Sequence, residues 1–338
     1  MIMNILFTCA GRRNYLIDYF KEGLKGQGRV FAADMSASAT ALAEADKSFV
    51  LPSVTNSHYL EKLTEVVRQN DVDVIISLND LELPLLADKK DTFKNEGVTV
   101  IISSPAVIDT CFDKFKTNKF AEELGIKVPD TYLDVKKVEK DLEDGTLDFP
   151  LAFKPRWGSA SEGLLFVDDK NGFELAYKWL THLYNPDKLG TKESDEEAET
   201  ILIQKKMEGC EYGLDIINDL DGNHVSVVIK KKVEMRAGET DKSLTVENIA
   251  LEKIGRRIGN KLKHVGNLDC DFFEVDGEYY LLEMNPRFGG GYPFSHEAGV
   301  NLPKAMLNWL KGEQVPSSWF EYKRDLLIAK CDRLITIS

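Results

Sequence analysis

Along the first 110 residues, short apolar runs alternate with amphipathic stretches. "NILFTCAG" predicts a buried strand ending in a turn, and Asn14–Lys25 a helix. "GRVFAADMS" predicts a second strand, "DVDVIISLND" a third after a helix over Tyr59–Asn70, and "GVTVIISS" a fourth. Apolar strands separated by helices predict a parallel sheet covered on its faces. Such sheets collect ligands at the carboxyl ends of their strands. That reasoning places Ala10 to Arg13, Asp34 and Asn79 to Glu82 along one rim.

From about Cys111 the pattern changes. "DKFKTNKFAEELGI" predicts an amphipathic helix ending at Gly125. Strands are predicted at "FPLAFKPR", "EGLLFVDD", "TILIQKKM", "YGLDIIND" and "HVSVVIKKKVE", with a helix over Gly172–Tyr184. A helix over about Val246–Val265 precedes the strand pair "LDCDFFEV" and "EYYLLEMN", and "NLPKAMLNWLKG" is a late helix. This half reads as α+β with mainly antiparallel strands. The polar run "NPDKLGTKESDEEAE" reads as a solvated loop.

Composition narrows the partners. A net charge of −13 over 338 residues argues against a nucleic-acid backbone. The five scattered cysteines contain no C-x-x-C, and the histidines never fall at i, i+4, so thiols are expected reduced and a zinc site absent. No apolar run reaches the roughly 18 residues of a membrane span. In "MIMNILFTCAGRR" the charges follow the apolar run, the reverse of a secretory leader. A cytoplasmic protein without membrane contact is expected. "CAGRRN" has one glycine where the dinucleotide fingerprint needs three, which disfavours a nicotinamide enzyme.

The stretch "LLEMNPRFGGG" carries the most chemistry. Alternation in a strand puts Tyr279, Leu281, Glu283 and Asn285 on one face and Tyr280, Leu282 and Met284 on the other. The second face is apolar and is expected on the core; the first ends in an acid and an amide, oxygen donors that suit Mg2+. Pro286 ends the strand where the polar groups emerge. In the hairpin before it, a two-residue Asp276-Gly277 turn pairs Asp271 with Leu282, on the wrong face. A three-residue turn, Asp276 to Glu278, pairs Asp271 with Glu283. Asp271 as a metal ligand therefore requires an odd turn or a bulge, with Asp269 as the alternative.

Asp271 followed a dozen residues later by "LLEMNPR" resembles the metal-binding end of the ATP-grasp superfamily, most like its carbamoyl-phosphate-synthase-like and carboxylate–amine ligase branches. "FDKFKTNKFAEELGIKVP" is similar to that family's entry helix, "FPLAFKPRWGSASEGL" to its strand, cation and flexible loop, and "ILIQKKMEGCEYGLDI" to its adenine-binding hinge. The resemblance implies a Rossmann-like, pre-ATP-grasp α/β domain over 1–110. An ATP-grasp domain of two α+β subdomains would follow over 111–316, with a lid over about 125–205, and then a C-terminal segment over 317–338. It implies ATP with Mg2+, or Mn2+ in its place, held by Asp271, Glu283 and Asn285. Arg287 would meet the transferring phosphate; Lys154 and Lys114 would contact phosphate oxygens under the loop Gly158 to Gly163, Ser159 included. Gln204, Lys205 and Met207 would bind the adenine edge, with Ile201 and Ile203 flanking its ring and Glu211 on the ribose. Arg236 and Thr240 lie where another phosphate loop is expected.

The function implied is an ATP-dependent C–N ligase that joins a small-molecule carboxylate to an amine through an acyl phosphate. Arg12, Arg13, Asp80 and Glu82 on the rim, with Gly289, Gly290 and Gly291, are the acceptor-binding candidates. A homodimer is compatible with the sequence. The alternatives are a phosphotransferase with a stable product and a non-catalytic nucleotide sensor. At single positions an ordinary exposed helix lysine remains open for Lys114, a surface acid for Glu211, an ion pair with Arg287 for Glu283, and a merely flexible loop for the glycines.

Overall fold

The computed structural model describes residues 2–158, 162–184 and 200–337. The chain forms two compact units. One comprises Met1–Ile108, Gly213–Asp269 and Asn285–Ser338; the other comprises Asp109–Tyr212 and Cys270–Met284.

In the first unit, β1 (Met3–Thr8), β2 (Gly28–Asp34), β3 (Lys47–Val50), β4 (Val74–Ser77) and β5 (Thr99–Ile101) form a parallel sheet in the order β3-β2-β1-β4-β5. Four of these strands follow the sequence pattern. The edge strand β3 does not: "KSFV" is short and mostly exposed, so it lacks the apolar run that betrays a buried strand. Strand order reverses between β1 and β4, so the ligand-collecting crevice of such a sheet lies at the loops after these two strands. One face packs Phe7, Phe20, Leu16 and Val30 with Phe288, Tyr292 and Leu307 from the last third of the chain. The other packs Leu6, Phe31, Ile75, Leu63 and Phe93.

In the second unit, β6 (Thr131–Tyr132), β7 (Leu151–Pro155), β8 (Leu165–Val167) and β9 (Ile201–Lys205) form an antiparallel sheet ordered β6-β9-β7-β8. Leu151, Phe153, Val167, Ile201 and Ile203 pack against Val138 of the helix Val135–Glu143 and Phe173 and Leu180 of the helix Lys170–Leu183. The helix Lys114–Glu123 begins at Asp113, whose carboxylate accepts from the amides of Phe115 and Lys116. It stops just before Gly125, which adopts φ 63°.

A third sheet joins β10 (Cys210–Asn218), β11 (His224–Arg236), β12 (Glu239–Thr245), β13 (Gly266–Val275), β14 (Glu278–Asn285) and β15 (Leu327–Ala329) in the order β14-β13-β10-β11-β12-β15. The chain passes from one unit to the other within β10, β13 and β14. Two details correct the expected hairpin. The turn between β13 and β14 has two residues, Asp276 (φ 51°) and Gly277 (φ 79°), so Asp271 can share the face of Glu283 only through a bulge. The most buried residues of β14 are Leu281 at 0% and Met284 at 1%, whereas Tyr280 and Leu282 are half-buried. The expected core face of Tyr280, Leu282 and Met284 is therefore buried only at Met284, and buried positions three apart depart from strand alternation.

Candidate functional site

In the second unit the register of β7 on β9 determines which side chains share a face. Lys154 lies opposite Leu202 and Ala152 opposite Gln204, so Leu202 and Gln204 share the face of Lys154. Ile201 and Ile203 point the other way, into the core beneath the helices. They do not share the face of Lys154, which Leu202 does. The sequence run "ILI" gave no hint of this, because an unbroken apolar run does not reveal its faces.

Lys154 has its pKa lowered to about 8 by burial and by the neighbouring Lys114, against a smaller opposing pull from Glu283. Lys114 is only 9% exposed, so it is not an ordinary surface lysine, and its Nζ donates to the carbonyl of Gly158 at 2.6 Å. Two ammonium groups thus lie near one another beside the start of the small-residue loop, with Glu283 as a weaker counter-charge. An anion with several oxygens suits such a pair. Ser159 lies outside the described residues.

The hinge follows β9. Gln204 is 3% exposed and donates to Thr131 Oγ1 at 2.7 Å, and Thr131 also receives Asn118 at 2.7 Å. Lys205 turns to Asp148 and the carbonyl of Phe149. A cavity of about 440 Å3 lies along Lys205 to Glu208, walled by Pro129, Pro150, Val275 and Tyr280. Glu211 is half-buried near the start of β10. Asp271 on β13 and Glu283 on β14 are half-buried, as is Asn285 at the end of β14. Among the described residues no three His, Cys, Asp or Glu side chains converge as a metal set. The expected ligands are two carboxylates and an amide, a donor set of hard oxygens.

In the first unit, the loops after β1 and β4 hold the rim residues. Glu82 is fully buried, and its carboxylate accepts from Thr8 (2.7 Å), Ser77 (2.5 Å) and Tyr59 (2.5 Å). Burial raises its pKa and the three hydroxyls pull it back. Glu82 is thereby corrected from an acceptor-binding acid to an anchor of the loop after β4, because its oxygens are occupied and enclosed. Burial and Glu82 together push the Cys9 thiol up, which leaves it a neutral neighbour rather than a nucleophile.

Asp80 meets a residue 207 positions away: Arg287 donates to it through Nη2 at 2.6 Å and Nε at 3.1 Å. Arg287 also reaches Asp269 at 3.3 Å, so the alternative metal ligand of the sequence is an ion-pair partner here. Arg13 pairs with Glu239 at 2.9 Å, and Lys330 reaches the same carboxylate at 3.3 Å. Burial would raise the pKa of Glu239, but Arg13 and Lys330 hold it down to about 2. Arg12 is exposed. Arg236 is 48% exposed and pairs with Asp241 and Asp332, while Thr240 is buried.

The glycines after Arg287 have a packing reason. A Cβ on Gly289 would lie 2.0 Å from Asp269 Oδ2, and one on Gly290 3.3 Å from the Glu239 carboxylate. Gly291 leaves ordinary room, 3.6 Å from Lys230 Nζ. The loop is held close to charged side chains and is not merely flexible. Glu239, Lys230, Asp215 and Asn267 were not singled out in the sequence. A lone acid inside the apolar "YGLDII" was the one available signal for Asp215.

The description "PylC-like, N-terminal domain" matches residues 5–101, and "ATP-grasp in the biosynthetic pathway with Ter operon" matches residues 197–333. A carbamoyl phosphate synthase large chain from Clostridium perfringens is 24% identical over 283 residues, covering 78% of this chain and 25% of its own length. The chain thus spans about a quarter of the length of the curated relatives it matches. Among solved structures, the biotin carboxylase–β-γ-ATP complex from Campylobacter jejuni superposes with a TM-score of 0.75 at 17% identity, covering 97% of this chain and 74% of that one. The L-amino acid ligase from Bacillus licheniformis gives 0.68 at 19% identity, covering 96% and 78%. Both superpositions are of the fold, and they agree with the matched descriptions and with the order of elements along the chain. Residues 197–333 thus match an ATP-grasp family model, and most of the chain is similar to carbamoyl phosphate synthase large chains.

Proposed function

We propose that the protein is an ATP- and Mg2+-dependent ligase that joins a carboxylate to an amine. The observation that carries this reading is the proximity of Lys154 and Lys114, two largely buried cations beside Gly158, with the pKa of Lys154 lowered by burial and by Lys114. A polyphosphate would relieve their mutual repulsion and restore full charge to Lys154. ATP bound with Mg2+ would supply a transferable phosphoryl group with its charge partly neutralised. Asp271, Glu283 and Asn285 would hold the metal. For Asp271 to share the face of Glu283 after a two-residue turn, β14 must take up one extra residue. The spacing of Leu281 and Met284 supports such a bulge.

Lys114 and Lys154 would orient phosphate oxygens beneath the backbone at Gly158. The backbone of Gln204 to Met207 would meet the adenine edge, Leu202 would pack on its ring, and Glu211 would accept from ribose hydroxyls. Arg287 would stabilise charge on the transferring phosphoryl group. A carboxylate would take that group as an acyl phosphate, which an amine would then attack, releasing phosphate. Arg12, Arg13, Asp80 and the backbone N–H groups of Gly289 to Gly291 would receive the acceptor. The chain supplies positioning and charge rather than a covalent nucleophile. The relatives named as carbamoyl phosphate synthase and L-amino acid ligase support C–N bond formation as the reaction class.

Calorimetric titration with ATP and Mg2+ tests the nucleotide site. Lys154→Met is expected to weaken binding by about 100-fold, on the scale of one lost charge-assisted contact. Glu283→Gln should abolish ADP release while weakening binding far less. Undiminished binding in the lysine variant would remove the observation on which the proposal stands.

A further inference from the structure

A second buried charge centre, in the first unit, has no role in the reading above. Asp215 on β10 and Lys230 on β11 form an ion pair with 0% and 3% side-chain exposure. Ser295, also fully buried, donates to Asp215 Oδ2 and receives Lys230 Nζ at 3.0 Å. Asn267 on β13 donates to the other oxygen, Asp215 Oδ1, at 3.0 Å. Two of these donors have a further acceptor. Lys230 Nζ reaches the carbonyl of Gly291 at 3.3 Å, and Asn267 Nδ2 the carbonyl of Arg287 at 3.4 Å. A single buried carboxylate therefore organises contacts to both ends of the segment Arg287 to Gly291.

Removing an ion pair from water is expensive, and an apolar pair of similar volume commonly serves stability as well. A pair retained at full burial, fully hydrogen-bonded and reaching both ends of one loop, fits a role in fixing geometry. Within that loop, Arg287 is held laterally by Asp80 and Asp269, and Gly289 lies against the Asp269 carboxylate. These side-chain contacts fix the guanidinium. The contacts from Lys230 and Asn267 fix the backbone that carries it.

We infer that Asp215, Lys230, Asn267 and Ser295 form a positioning device that sets the Arg287–Gly291 backbone for the transfer step. The inference rests on the proposed ligase reading, since Arg287 and the glycines take their roles from it. Asp215 and Lys230 are positioning residues and touch no substrate. Their effect passes through two backbone carbonyls.

The test compares wild type, Asn267→Leu and the double variant Asp215→Asn/Lys230→Met by hydrogen–deuterium exchange and by ADP release with saturating substrates. The double variant avoids leaving one charge buried alone, so it keeps a folded protein to measure. Exchange in peptides covering 286–293 should accelerate at least tenfold, with peptides from β10 and β11 unchanged. The kcat for ADP release should fall by about 100-fold, the scale of a small misplacement of a reacting group, with KM for ATP within about twofold of wild type. Unchanged exchange across 286–293 in the folded double variant overturns the inference. So does faster exchange with undiminished kcat. If the wild type neither binds ATP nor releases ADP, the ligase reading fails instead, and the exchange data still decide whether the loop is held in this way.

Discussion

Lys154 links the sequence reading to a measurable proton. Its pKa, lowered to about 8, lies below that of a free lysine, so its charged form is disfavoured in the folded protein without ligand. Phosphate binding favours the charged form. At pH 8 ATP should therefore bind with uptake of about half a proton, seen as a dependence of calorimetric heat on buffer ionisation. Affinity should be full below pH 8 and should fall by up to about tenfold per pH unit above it. Lys154→Met should bind without that proton, and buffer-independent heat in wild type would refute the assignment. The sign for stability is opposite to that of a salt-bridged lysine. The penalty of burying this charge is present below pH 8 and is relieved between about 8 and 10.5, the range where only the unfolded chain keeps the proton.

His264 gives a second titration. It is fully buried, contacts the carbonyl of Ile216 through Nε2 at 2.9 Å and Asn218 Nδ2 through Nδ1 at 3.4 Å, and has its pKa lowered to about 4 by burial. Its folded pKa lies below the unfolded 6.5, so the neutral ring adds no pH dependence above about 6.5. Stability should fall as pH drops from about 6.5 to 4, by a total on the order of 3 kcal/mol. Chemical denaturation at pH 7 and pH 4.5 measures this, and His264→Gln should remove its share of the difference while leaving those of His224 and His296, whose pKa values burial also lowers to about 4. Lys154, Glu283 and Arg287 can be singled out in the sequence as candidates by their chemistry alone. The partners that decide their environment cannot, because Asp80 lies 207 residues from Arg287.

At the scale of elements, Asp113 caps the helix Lys114–Glu123 and also pairs with Arg156 at 2.9 Å, with 2% and 11% side-chain exposure. Asp113→Ala removes the cap and leaves Arg156 without this partner. It should lower unfolding free energy by about 2–4 kcal/mol, read as a lower denaturant midpoint at unchanged slope. In the glycine segment, the order of damage should follow the room available for a Cβ. Gly289→Ala must displace the Asp269 carboxylate at 2.0 Å and should be the most harmful. Gly290→Ala meets the half-exposed Glu239 at 3.3 Å and should be milder, and Gly291→Ala milder still. ADP-release rates of the three variants check the ranking.

Elements with strong periodicity were read correctly: β1, β2, β4, the paired strands β13 and β14, and the helix Lys114–Glu123. Those defined by tertiary partners were not. β12 reads as a charged run, "ETDKSLT", and is a strand because it pairs with β11 and β15. Asp276-Gly277 forms the two-residue turn with both φ values positive, so Asp271 as a ligand depends on the bulge that the sequence reading named as the other way to correct the register. Faces were the least legible feature. Ile201 and Ile203 became core rather than ring contacts only once the register of β7 on β9 was known.

For the whole molecule, the parallel sheet followed by antiparallel sheets was readable from hydrophobic period and order. The pairing β14-β13-β10-β11-β12-β15 was not, since it joins residue 210 to residue 329 across long separations. Among the described residues no helix is long and apolar enough to cross a membrane. The acidic balance of −13 makes the local basic centre at Lys114 and Lys154 more notable, because the net field of the chain would repel a nucleotide. A divalent cation accompanying the nucleotide would reduce that repulsion, so binding should weaken sharply when Mg2+ is removed.

The most direct measurement is hydroxylamine trapping during ATP turnover with pools of amino acids, hydroxy acids and sugar acids. An acyl phosphate formed in the site should yield a hydroxamate in step with ADP, only with Mg2+, and not in Lys154→Met or Glu283→Gln. ADP release accompanied by a stable phosphorylated product and no hydroxamate, or no ADP release with any carboxylate pool, would contradict the ligase reading.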